Sequence, residues 1–108
     1  MKEKEFFKFL DREGHDRLRV RLKIDKGVLI YIVVQYESLI DNKWTAIVRY
    51  DFEHGFFHRD MMTPKGEKIK TPIDISDLNS ATIYAEQDIK DKWEHYKQKY
   101  LKELKNDK

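Results

Sequence analysis

Residues 49–60 read RYDFEHGFFHRD, and the way this stretch folds back on itself decides the rest of the chain. Gly55 sits between aromatic flanks, Tyr50 and Phe52 before it, Phe56 and Phe57 after it. Aromatics favour extended backbone, and a glycine accepts the positive φ of a tight turn, so the stretch predicts a β-hairpin. Two of the four histidines lie here. His54 and His58 stand among Arg49, Asp51, Glu53, Arg59 and Asp60. Register decides what they do together. A loop over 52–55 sets Asp51 opposite Phe56 and Arg49 opposite His58, gathering Arg49, Asp51, His58 and Asp60 on one face. A slip of one residue sets Tyr50 opposite His58 and splits the patch.

Working outward, residues 44–51 alternate, with Trp44, Ala46, Val48 and Tyr50 on one face and Thr45, Ile47, Arg49 and Asp51 on the other. Residues 28–40 are apolar on both faces over their first half, which predicts a central strand. Arg17, Arg19, Arg21 and Lys23 alternate with Leu18, Val20, Leu22 and Ile24, as in a strand with one face in the core. Asp25-Lys26-Gly27, Asp41-Asn42-Lys43 and Thr63-Pro64-Lys65-Gly66 are turns, so the strands fold back antiparallel. Residues 67–70 make a short further strand ended by Pro72.

The two ends of the chain read as helices. In 2–13, Phe6, Phe7, Phe9 and Leu10 fit a short amphipathic helix closed by Gly14. Beyond the caps offered by Asp74 and Asp77, Ala81, Ala85, Ile89, Trp93, Tyr96, Tyr100 and Leu104 recur at three- and four-residue steps. That is the stripe of a long amphipathic helix. The expected fold is therefore α+β: a four- to five-stranded antiparallel meander over 16–70, a long helix over 77–105 on one face, and a short helix over 2–13. The 108 residues form one domain.

Composition narrows the function. The chain carries no cysteine and a formal net charge of +2, which fits a cytoplasmic protein and removes thiolate chemistry. No apolar run approaches the roughly 20 residues that span a bilayer. The spacing of His54 and His58 suits a zinc pair only on a helix; in a strand four residues span about 13 Å, so no metal is expected. No cofactor is called for.

Metal-free cleavage of RNA suits the residue types better. It needs a base for the 2′-hydroxyl, an acid for the leaving oxygen and cations on the phosphate. His54 and His58 fill the first two roles with Asp51 orienting a ring. Arg49, Arg59 and Asp60 would hold substrate, and the cations of 17–23 would guide the strand. The same residues equally make a cross-strand salt-bridge network with no chemistry.

Val48-Arg49-Tyr50-Asp51, His54-Gly55 and His58-x-Asp60 together resemble the signature of a small prokaryotic domain family. More distantly they are similar to TumE-type toxins of toxin–antitoxin modules. The likeness covers residues 17–100 in order of elements and about twelve residues in motif. It implies a toxin acting on RNA, with an antitoxin as partner and Arg49, Asp51, His54 and His58 carried over. The run of consecutive histidines of those toxins, and the proline before it, are absent here. The alternative is a homodimerising interaction domain that uses a sheet edge or the aromatic helix face around Trp93, Tyr96 and Tyr100.

Overall fold

The computed structural model describes residues 1–53 and 55–106. Among them six strands and one helix follow in chain order: β1 (Lys2–Phe9), β2 (Asp16–Asp25), β3 (Val28–Ile40), β4 (Lys43–Glu53), β5 (Phe56–Met62), β6 (Lys68–Ile73) and α1 (Leu78–Asn106). The strands form one antiparallel sheet in the order β1-β2-β3-β4-β5-β6. Each strand thus pairs with its sequence neighbours, as the turn signals require. Two-residue turns at Lys26-Gly27 and Asp41-Asn42 take positive φ at both positions, the geometry that matches strand twist.

The N-terminal segment is a strand, where the sequence predicts a helix. Its four phenylalanine and leucine positions fit either period, and the partner decides. Glu3 and Glu5 come to lie opposite Lys23 and Arg21, and Phe7 and Phe9 opposite Arg19 and Arg17. The cation row of β2 therefore finds an acidic and aromatic row beside it, which a helix could not supply. Gly14 (φ 76°) serves the β1–β2 connection. At the other edge, β6 extends past Lys70 and through Pro72. An edge strand tolerates a proline because its outward N–H has no partner to lose.

One face of the sheet is closed by α1. Val20, Val34, Tyr36, Val48 and Tyr50 pack against Ala81, Ala85 and Ile89, all buried, and the two alanines let the helix lie close. Asp77 caps the helix, its carboxylate accepting from the Ser80 N–H at 2.9 Å and the Ser80 hydroxyl at 2.7 Å. Two buried carboxylates then tie the layers together. Asp88 on α1 accepts the Tyr50 hydroxyl at 2.6 Å and the Tyr96 hydroxyl at 2.5 Å. Asp16 on β2 accepts Tyr36 at 2.6 Å, Ser38 at 2.7 Å and the Lys97 ammonium at 3.1 Å. The aromatic stripe of the helix is turned inward: Tyr96 is buried and Trp93 meets Tyr36 edge to face at 6.2 Å. Tyr96 belongs to the core, with Trp93 and Tyr100 partly buried against it.

A bulge in β4 redistributes its side chains. Tyr36 pairs with Val48 but Glu37 pairs with Ala46, so Ile47 is the extra residue. Val48 and Tyr50 face the helix, while Trp44 and Ala46 share the opposite face with Glu37 and Leu39. The expected single set of Trp44, Ala46, Val48 and Tyr50 is split by that one inserted residue.

Candidate functional site

The face away from α1 is built from rows that cross the whole sheet. One row runs Phe7, Arg19, Gln35, Arg49, Asp60, Lys70, and the next runs Glu5, Arg21, Val33, Asp51, His58, Pro72. Arg17 and Lys23 flank these rows on β2. Cations dominate β2, and the acids and the histidine gather on β4 and β5.

The hairpin at the heart of this face is tighter than the four-residue loop. Asp51 pairs with His58, Phe52 with Phe57, and Glu53 with Phe56, so pairing continues through Glu53. Phe52 and Phe57 stack at 6.3 Å between ring centroids, which holds the strands together almost to their tip. The register moves by two residues, an even step that keeps parity. Arg49, Asp51, His58 and Asp60 consequently do share one face, through partners other than those expected.

The patch is sealed. His58 is 0% exposed, and Asp51 and Asp60 are each 4% exposed. Arg49 at the rim gives Asp51 Oδ2 two hydrogen bonds, from Nε at 3.1 Å and Nη2 at 3.0 Å. His58 Nε2 lies 3.4 Å from Asp60 Oδ2, and the Phe56 ring leans over the imidazole at 5.3 Å between centroids. Asp51 Oδ1, Asp60 Oδ1 and both ring nitrogens of His58 find no hydrogen-bond partner among the described residues. Buried polar atoms in this condition carry a desolvation cost that a fully paired network would avoid. Arg59 stands apart on the helix face, its guanidinium 3.4 Å from the Tyr96 hydroxyl. His54 lies outside the described residues. Among those described, no group of three or more His, Asp or Glu side chains could hold a metal ion.

Around the sealed patch, cations paired with carboxylates lie among aromatic rings, Arg19 also 3.7 Å from Glu37 and Lys23 3.6 Å from Glu3. The Arg17 guanidinium lies 4.3 Å from the Phe7 ring and 3.8 Å from the Trp44 ring, clamped between the two. Its Nε also donates to Glu37 at 2.8 Å. Arg21 donates to Glu5 at 3.0 and 3.1 Å, and Arg19 reaches the same carboxylate oxygen at 3.4 Å. Those arginines, Arg21 foremost, hold the Glu5 carboxyl below its usual range. Lys23 lies 4.8 Å from the Tyr31 ring and Lys70 6.0 Å from the Phe56 ring. Phe7, Phe9, Trp44 and Phe56 remain 45%, 60%, 37% and 41% exposed. Sequence reasoning missed this aromatic set because it depends on β1 being a strand and on the bulge at Ile47.

These features define a class: an open-faced antiparallel sheet domain with one face closed by a helix and the other carrying ion-paired arginines among exposed aromatic rings. The chain belongs to the family described as Domain of unknown function (DUF7718), which matches it over residues 1–106. No curated protein and no solved structure matches it.

Proposed function

We propose that this domain binds single-stranded RNA on the open face of its sheet. One observation carries the reading: exposed rings of Phe7, Phe9, Trp44 and Phe56 share that face with Arg17, Arg19, Arg21, Lys23 and Arg49. Single strands are held in this manner, bases stacked on aromatic rings and guanidinium planes while cations follow the phosphates. The interleaved acids Glu3, Glu5, Glu37, Asp51 and Asp60 offset most of the positive field, so weak binding in the range of about 1–100 µM is expected. Fluorescence anisotropy with a labelled single-stranded RNA tests it. Binding should weaken with added salt and weaken again in Arg19→Ala and Lys23→Ala. A flat titration for the wild-type protein at low salt would sink the reading.

Cleavage of the bound strand is a second reading, favoured by the Asp60 carboxylate 3.4 Å from the His58 imidazole. Asp51 and Asp60 would orient the ring, Arg49 would meet the phosphate and His54 would supply the second proton-transfer group. It requires the ring, sealed in the free protein, to be uncovered when RNA arrives. The toxin part of this reading, with an antitoxin as partner, rests on the twelve-residue motif alone. Inducing wild type and His58→Ala in a bacterial host separates binding from cleavage. Equal growth with intact RNA in both leaves a binding domain only.

A further inference from the structure

Between β2, β3 and β4 the open face carries a hollow of about 80 Å³ lined by Arg19, Arg21, Val33, Gln35 and Arg49. Its floor is the central strand, Val33 and Gln35. Its walls are three arginines that reach over that strand from both sides, two from β2 and one from β4. Strands two places apart in a sheet lie roughly 10 Å from each other, a gap that paired guanidinium groups can span around one small group. We propose that this hollow is a subsite for a single terminal phosphate of a nucleic-acid strand.

The proposal rests on the RNA-binding reading and adds to it where the strand is anchored. Three arrangements support it. Glu5 already shows the arginines sharing one anionic oxygen, since Arg19 and Arg21 both donate to its Oε2. Guanidinium forks match phosphate oxygens as they match carboxylates, and a terminal phosphate carries more charge than the Glu5 group it would displace. Arg49, which lines the hollow, is held in place by its two bonds to Asp51. The charge balance is even and therefore selective: three guanidinium groups face three carboxylates, Glu5, Glu37 and Asp51, so an anion enters only by displacing Glu5 from Arg19 and Arg21. A monoester dianion gains most from such a site. An in-chain diester, with half the charge and a neighbour on either side, fits a line of cations better than a closed hollow.

The experiment compares RNA oligomers of one sequence ending in a 5′-phosphate, a 3′-phosphate or two hydroxyls, at constant ionic strength. One phosphorylated form is expected to bind about tenfold tighter than the hydroxyl form. Inorganic phosphate should erase that advantage where chloride does not. Arg49→Lys, which keeps the charge and removes the fork, should also erase it, with a melting curve confirming the fold. Should that variant fail to fold, the competition by inorganic phosphate in the wild type decides. Equal affinity for all three oligomers would overturn the subsite while leaving RNA binding in place. Failure of every oligomer to bind would overturn both.

Discussion

At the scale of single residues, the buried hydroxyls of Tyr36, Tyr50 and Tyr96 mark how this protein joins its layers. Burial, and then the carboxylate each one donates to, raises their pKa; Tyr96 is pushed up to about 12. The sign follows from linkage. The folded chain keeps these protons at a pH where the unfolded chain, titrating near 10, gives them up. Their contribution is whole below about pH 10 and is lost as the pH rises from there through the folded values. The expected outcome is cooperative alkaline unfolding, with tyrosinate absorbance from these three residues appearing together with the loss of near-ultraviolet dichroism. Ordinary titration near pH 10 with the fold intact would contradict it. Little of this was legible beforehand. Tyr50 and Tyr96 could be placed on inward faces by period, but nothing in the sequence pairs them with Asp88 across 38 and 8 residues. The sealing of His58 was equally hidden. Parity puts it on a face, whereas its burial depends on the long side chains and the Phe56 ring beside it.

Among the elements, the hairpins were the most legible and the first segment the least. Turn residues announced the connections at Lys26-Gly27, Asp41-Asn42 and Thr63–Gly66, and strand alternation announced β2 to β5. β1 was misread because Phe6, Phe7, Phe9 and Leu10 satisfy a helix as well as a strand. Only the acids aligned with β2's cations break the tie, and that alignment is a tertiary fact. The bulge at Ile47 left no trace because alternation continues through it. The turns themselves suggest a change. Lys26 takes φ 51°, a left-handed conformation that costs an ordinary side chain about 1–2 kcal/mol and asparagine less. Lys26→Asn is therefore expected to raise stability by roughly 0.5–1 kcal/mol. Urea unfolding measures it, and an unchanged or lower midpoint would show that this turn does not limit the β2–β3 hairpin.

Across the whole molecule, the two faces of one sheet have been put to different uses. One is closed by α1, and the other leaves rings and cations at the surface. The order of assembly follows from the strict neighbour-to-neighbour strand order. Every hairpin can close as soon as its second strand leaves the ribosome, since each pairing is local and little chain entropy is spent. The helix comes after all six strands. Until it is made, Tyr36, Tyr50, Val34 and Val48 stand on a finished sheet with nothing over them, a surface prone to capture by chaperones or by other nascent sheets. A fragment ending at Ser76 is accordingly expected to aggregate or to lack a cooperative melting transition; a soluble, cooperatively melting monomer would refute this. Synthesis of this protein thus has a vulnerable interval, which ends only when the 29 residues of α1 arrive and dock.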